Sequence, residues 1–478
     1  MKGLRWLALA VVLATAGLVP VLLASSREPS PAIAAAGNRP NILVILTDDQ
    51  RIDEMRVLPR TRALLGERGT TFANSFVAYS LCCPSRSTFL TGQYAHNHGV
   101  LGNGPPTGGY LRLDHTNTLP VWLQAAGYYT AHIGKYLNNY GVDSPEPPPG
   151  WSRWFGLIDP ATYKLFDYKV SDEGAEVSYG HTPGEYQTDV LTAEAEKLLR
   201  SRAGADKPFF VTVAPVVPHL ERINGDQVPP RPAPRYAAAF VNDPLPARPA
   251  YDEADVADKP AHIRRLSRLT GAKATRVLDI YRARLASLLA VDDMVQRLVT
   301  ALADTGQLDH TVIVFTSDNG FLLGEHRVPD QKYFPYEESI RVPLIIRGGG
   351  FPAGATALQQ VSNIDLAPTI VALTGAHPRR VMDGQPLLPL ALDPQQGKDR
   401  TLLVEGYGAG SSKPPFRAVR DPRYLYAEWA NGEKELYDLQ VDPYELQSRH
   451  AAANMKTVRK RLAARLAKLR TCAGASCR

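Results

Sequence analysis

The chain has 478 residues; setting aside a leader of about 36 leaves roughly 442, more than one domain of about 150 residues and enough for a large core. With 44% hydrophobic and 21% charged residues, disordered, collagen-like and mini-protein classes are excluded, and 37 Gly with 39 Pro point to many loops. The formal charge is +6, but residues 447–478 carry nine Lys or Arg and no Asp or Glu, so the rest of the chain is net acidic and no nucleic-acid partner is expected.

In chain order, Lys2 and Arg5 precede an apolar run over residues 6–23 and an Ala/Ser-rich stretch ending at Ala34-Ala35-Ala36. That pattern predicts a secretory leader over residues 1–36 and an extracytoplasmic, secreted protein. Membrane contact is expected only if the run stays as an uncleaved anchor, and Pro20 makes it a poorer helix. Export leads to a compartment where disulfides survive. Cys472 and Cys477 could then close a small loop, whereas the neighbours Cys82 and Cys83 cannot easily bridge each other.

Apolar, β-branched runs at residues 41–46, 208–213 and 311–315 predict strands buried on both faces. Helical spacing covers residues 119–126, 188–199 and 275–302. The alternation predicts an α/β fold, a mainly parallel sheet sandwiched by helices. Residues 227–249, rich in Pro, read as an irregular surface excursion. From about residue 399 short strands at 402–404 and 424–427 precede an Ala/Arg-rich helix, which predicts a smaller C-terminal α+β subdomain. The expected division is a leader and linker, 1–36, a catalytic domain, 37–385, and a C-terminal subdomain, 386–478, with the basic terminal helix. That helix has Met455, Val458, Leu462, Leu466 and Leu469 on one face. Docking with a solvated basic face is the favoured reading, and binding of polyanionic glycan or anionic lipid is the alternative.

Ligands of such sheets sit outside the carboxyl ends of the strands. Asp48, Asp49, His219, Asp318 and Asn319 all follow such ends, so residues far apart in sequence can share one rim. Alone, an Asp-Asp pair after a strand is a common cap or turn. Joined by Asp318 and Asn319 it offers oxygen ligands only, which suits Ca²⁺ or Mg²⁺ rather than zinc. Near Cys82, Pro84 suits the first turn of a helix, whose free N–H groups and positive dipole end favour an anion, and Arg86 adds a fixed positive charge.

The run from Cys82-Cys83-Pro84-Ser85-Arg86 to Thr91-Gly92 resembles the sulfatase signature C-x-P-S-R-x-x-x-x-T-G, with Cys82 at its first position. Residues 127–137, including Gly134-Lys135, resemble the second sulfatase signature. The resemblance runs from Arg39 through Tyr336-Glu337-Glu338-Ser339, residues 361–369 and residues 435–439. Within the family, Cys82-Cys83-Pro84, His96-Asn97-His98 and Gly134-Lys135-Tyr136-Leu137-Asn138 look most like the glucosamine-6-sulfatase and extracellular heparan endosulfatase branch.

The resemblance implies an alkaline-phosphatase-like core and hydrolysis of a sulfate monoester on a small molecule or glycan, an O-sulfated amino sugar being the specific expectation. It implies that a formylglycine-generating enzyme converts Cys82 to formylglycine. One divalent cation, Ca²⁺ first and Mg²⁺ second, would be held by Asp48, Asp49, Asp318, Asn319 and position 82. Arg86, Lys135, His219 and Lys332 would be catalytic, His219 protonating the leaving oxygen and the two lysines balancing charge on the sulfuryl group. A hydrated aldehyde can expel sulfate by using its second hydroxyl, which a Ser nucleophile cannot do. His96 and His98 either make hydrogen bonds near the pocket as substrate contacts or only order their loop, Asn103 is a candidate substrate contact, and Cys83 is given no role. Leu137 stands where many arylsulfatases carry His, a replacement the amino-sugar branch shares. Two alternatives remain open: a phosphonate monoester or phosphodiester hydrolase of the same superfamily, and a secreted glycan-binding protein without catalysis.

Overall fold

A computed structural model of the chain describes residues 39–408 and 413–478, and the expected leader lies outside them. Ten strands form one mixed sheet in the order Ala355–Ser362, Thr70–Phe76, Leu344–Arg347, Thr311–Ser317, Asn41–Thr47, Phe209–Ala214, Tyr129–Gly134, Arg153–Leu157, Lys169–Asp172, Ala175–Ser178. The centre, from Thr311–Ser317 to Arg153–Leu157, is parallel, and antiparallel pairs flank it. The apolar runs at 41–46, 208–213 and 311–315 are three adjacent strands of that centre, which is why they read as continuous hydrophobic stretches.

Alternate residues of these strands feed two cores. Leu43, Ile45, Val211, Val213, Ile313 and Phe315 point to one face, covered by the helices Gln187–Ser201 and Ala272–Asp304. Ile42, Val44, Phe210, Val312 and Val314 point to the other, covered by Cys82–Thr91, Leu119–Ala125 and Leu366–Thr374. All of these strand residues are buried.

The C-terminal part is an antiparallel sheet of four strands, Leu402–Gly406, Phe416–Arg420, Tyr424–Trp429 and Lys434–Asp438. Two of the four extend the strands expected from sequence. Phe416–Arg420 escapes notice because Arg417 and Arg420 break up its three apolar residues and leave too short a span to show a period. One face of this sheet packs on Phe76, Tyr333, Tyr336 and Ile340 of the core, and the other receives Leu462, Leu466 and Leu469 of the helix Lys456–Leu469. That helix is thus docked by its apolar stripe, with Lys456, Lys460 and Lys468 exposed. A disulfide joins Cys472 to Cys477, with Cα atoms 5.1 Å apart. Among the described residues no helix is long and apolar enough to cross a membrane.

Candidate active site

Cys82 opens the helix Cys82–Thr91, and its thiol is completely buried. Its Sγ lies 3.4 Å from Asp48 Oδ1 and accepts from Lys332 Nζ at 2.7 Å. Burial and the adjacent Asp48 carboxylate push the thiol well above its ordinary pKa, opposed by Lys135 and Lys332. An unmodified Cys82 is therefore a protonated, poor nucleophile. Cys83 faces the core, its N–H donating to Asn103 Oδ1 at 2.9 Å.

The carboxylates sit at the ends of two neighbouring strands. Thr47 and Ser317 are register partners, so Asp48, Asp49, Asp318 and Asn319 emerge side by side. Asp49 has a left-handed backbone, φ 66°, a conformation that non-glycine residues keep only when their surroundings demand it. Asp318 Oδ1 accepts from Asp49 N at 3.1 Å and Oδ2 from Arg86 Nε at 2.7 Å. Asn319 Nδ2 donates to Asp49 Oδ1 at 2.6 Å. Lys135 Nζ is bonded to Asp48 Oδ2 and stands 4.7 Å from the centre of the Tyr163 ring. Lys332 Nζ is bonded to Asp49 Oδ1.

The charges are strongly coupled. Burial opposes ionisation of Asp48, yet Lys135, His219, Lys332 and Arg86 hold its carboxyl below the usual range. Burial and the Asp48 charge push Asp49 and Asp318 up, against the pull of Lys332 and Arg86 respectively. Buried, crowded carboxylates of this kind are relieved by a cation. Asp49 Oδ2 and Asn319 Oδ1 are buried oxygens without hydrogen-bond partners, and ligand atoms of Asp48, Asp49, Cys82 and His219 all lie within 4.8 Å of one another. The group thus fits one divalent metal ion. Arg86 Nη2 is a buried donor without a hydrogen-bond partner, 3.7 Å from the Asp48 Oδ2 with which it forms an ion pair.

His219 follows the strand Phe209–Ala214; its Nδ1 donates to Leu220 O at 2.6 Å, and its Nε2 lies 3.6 Å from Asp49 Oδ2. Burial lowers its pKa to about 3, against the favourable Asp48 charge, so the resting imidazole is neutral. A cleft of about 640 Å³ opens over these groups, lined by Asp49, Asn103, His219, Lys332, Tyr333 and Lys413 among others.

His96 and His98, candidate substrate contacts, are not brought to this cleft. His96 spends Nδ1 on Glu405 at 3.0 Å and Nε2 on the Cys472 carbonyl at 2.9 Å. His98 Nε2 binds Thr88 Oγ1 at 3.1 Å, and its Nδ1 accepts from Val100 N at 3.1 Å. Both rings order the segment behind the Cys82 helix, the second of the two roles that the sequence leaves open for them. Asn103 does line the cleft.

Sequence reading missed Arg284. This fully buried side chain pairs with Glu54 at 2.7 Å and donates to Asp49 O at 2.7 Å and Pro218 O at 3.1 Å, tying together the backbones that carry Asp49 and His219. The available signal was a charge on an apolar helical stripe, since Val277, Tyr281, Arg284, Leu288 and Val291 share one face.

Fold and site together describe a hydrolase of anionic esters, with a buried position for a nucleophile and basic groups around it. The sulfatase family model matches residues 40–376, and a model described as N-sulphoglucosamine sulphohydrolase, C-terminal, matches residues 324–472. A human N-acetylglucosamine-6-sulfatase is 36% identical over 82% of this chain and 70% of its own length. A putative extracellular sulfatase Sulf-1 homolog from Caenorhabditis elegans is 34% identical, over 80% of this chain and 54% of its own. A structure solved in complex with its substrate D-glucosamine-2-N,6-O-disulfate superposes with TM-score 0.75 at 26% identity, covering 90% of this chain and 97% of that one. The chain belongs to the sulfatase family and is a sulfuric ester hydrolase, and among its relatives it is similar to the glucosamine-6-sulfatases and extracellular sulfatases.

Proposed function

We propose that the protein is a secreted sulfatase that removes sulfate from an O-sulfated amino sugar or glycan, using formylglycine made from Cys82 and one Ca²⁺ ion. The single observation that carries this reading is the placing of the buried Cys82 Sγ between Asp48 Oδ1 at 3.4 Å and Lys332 Nζ at 2.7 Å, directly behind Lys332 of the cleft wall. The catalytic domain is assigned to residues 37–385 and the smaller domain to residues 386–478.

In this scheme Asp48, Asp49, Asp318 and Asn319 hold the cation, which supplies positive charge against the sulfate and orients the matured residue. Formylglycine supplies a hydrated aldehyde whose second hydroxyl allows sulfate to be expelled. Arg86 offers Nη2, which has no hydrogen-bond partner, to an oxygen at position 82, while its Nε keeps Asp318 aligned. Lys135 and Lys332 hold their protons firmly among the carboxylates, so both stay cationic and offset charge on the sulfuryl oxygens. His219, neutral at rest, takes up a proton with the anionic substrate and passes it from Nε2 to the leaving sugar oxygen, its ring fixed by Leu220 O and by Tyr163, 4.6 Å between ring centres. Asn103 contacts the sugar from the cleft wall.

The test is turnover of glucosamine 6-sulfate, an aryl sulfate and a phenylphosphonate monoester by the secreted protein. The expected order places the sugar sulfate first in kcat/KM. Preference for the phosphonate ester, or binding of the sugar without release of sulfate from fully converted enzyme, rejects the proposal.

A further inference from the structure

A second cluster of unpartnered polar atoms lies outside the cleft. His326 Nε2, Glu338 Oε2 and Glu445 Oε1 are buried without hydrogen-bond partners, and the three residues' ligand atoms lie within 4.8 Å of one another. The His326 and Glu445 side chains are fully enclosed, each with 0% exposure. They come from three segments: His326 from the loop after Thr311–Ser317, Glu338 from the short helix Glu337–Ile340, and Glu445 from beyond the last strand of the C-terminal sheet.

The two glutamate oxygens are acceptors when ionised, and the role of His326 Nε2 follows from what Nδ1 does. His326 Nδ1 lies 2.7 Å from Glu253 Oε2; in the tautomer that donates there, Nε2 carries a lone pair that can face a cation. Glu445 Oε2 accepts from Glu337 N at 2.9 Å, which leaves Oε1 for the cluster. Among the described residues no Lys or Arg forms an ion pair with Glu338 or Glu445. The nearby cations are engaged elsewhere, Lys259 with Glu253 at 3.1 Å, Arg51 with Glu325 at 2.7 Å and Arg420 with Glu337 at 2.7 Å. Burial and neighbouring carboxylates push both glutamates up. Facing acceptors sealed from water are costly unless something positive sits between them.

We propose that His326, Glu338 and Glu445 hold a second divalent cation, of the zinc or manganese class, separate from the one in the cleft. One imidazole nitrogen with two carboxylate oxygens suits that class, and a carboxylate behind the ligating histidine, here Glu253, is its usual support. The cation fastens the loop that carries Lys332 to the C-terminal sheet, so its role is structural.

The test is metal content and Co²⁺ binding of the full-length protein. After dialysis against Zn²⁺ and gel filtration, wild type is expected to retain one equivalent of zinc that Glu445→Gln and His326→Gln lack and Asp318→Asn keeps. Chelator-stripped wild type titrated with Co²⁺ should show visible d–d absorption saturating at one equivalent, abolished in His326→Gln. Equal zinc and equal Co²⁺ absorption in wild type and Glu445→Gln overturns the proposal. So does wild type that binds neither metal, whatever its melting temperature. Should the variants fail to fold, the wild-type Co²⁺ titration decides alone. None of these readings depends on turnover of a sulfate ester.

Discussion

In the proposed mechanism the chemistry of the side chain at position 82 decides turnover. A Ser hydroxyl could attack sulfur once, but it would leave a sulfate ester with no second hydroxyl to expel it, and a Cys that stays a thiol is held protonated by burial and Asp48. Cys82→Ser and Cys82→Ala are therefore expected to lower sulfate release by about 10³-fold or more, while Cys83→Ala, which empties only core space, keeps most of it. Comparable rates in all three variants would remove Cys82 from the mechanism. Cys82, Arg86, Lys135 and the acidic pairs were legible in the sequence because each combines an unusual residue type with a fixed spacing. The sequence leaves His96 and His98 open between cleft and loop, because a short helix can turn a histidine either way, and their partners Glu405, Cys472, Thr88 and Val100 are what hold them behind the Cys82 helix.

Single elements transmit constraints into the site. The helix Ala272–Asp304 carries Arg284 into the space below Asp49 and Pro218, where one guanidinium satisfies Glu54 and two backbone carbonyls. Arg284→Met strands the buried Glu54 carboxylate and is expected to cost about 3–5 kcal/mol in denaturant unfolding. Arg284→Lys keeps the charge but not the fork, and kcat should fall about tenfold or more with a smaller loss of stability. Unchanged kcat in Arg284→Lys would mean that the helix does not position Asp49 and His219.

The strand Tyr129–Gly134 and the short helix Ala95–His98 each bury a neutral histidine. His132 joins Thr212 Oγ1 at 2.7 Å to Gly134 O at 3.2 Å, and burial holds both His132 and His98 down to about 3. A folded pKa below the unfolded value of about 6.5 means that the unfolded chain takes up the proton first. These groups favour folding above pH about 6.5, and the contribution is lost as pH falls toward 3, by up to roughly 1.4 kcal/mol per pH unit for each histidine. Urea unfolding at pH 7, 6 and 5 should show that slope, and His98→Gln should flatten it by about one histidine's share. A slope untouched by His98→Gln would show that His98 is not the neutral ring its partners imply.

Across the whole molecule the C-terminal segment is tied back to the region behind the Cys82 helix. His96 Nε2 and Asn97 Nδ2 both bind the Cys472 carbonyl at 2.9 Å, beside the disulfide to Cys477. Closing so small a loop contributes about 2 kcal/mol. Cys477→Ser is expected to lower the melting temperature by a few degrees and leave kcat near wild type; a large loss of turnover would show that this tie reaches the cleft.

By itself the sequence determined the continuous apolar runs of the central strands, the helix stripes, the two signature runs and the concentration of basic charge at the C-terminus. These are local properties, set by side-chain chemistry and spacing along one segment, so they survive without knowledge of the fold. Only the tertiary structure decided which far-apart groups meet. The register that pairs Thr47 with Ser317 sets the acidic rim, the turn after Pro218 aims His219 at Asp49, and the docking of the C-terminal sheet brings Glu445 to His326 and Glu338. Such meetings depend on strand order and packing angle, which a linear pattern of residues does not encode.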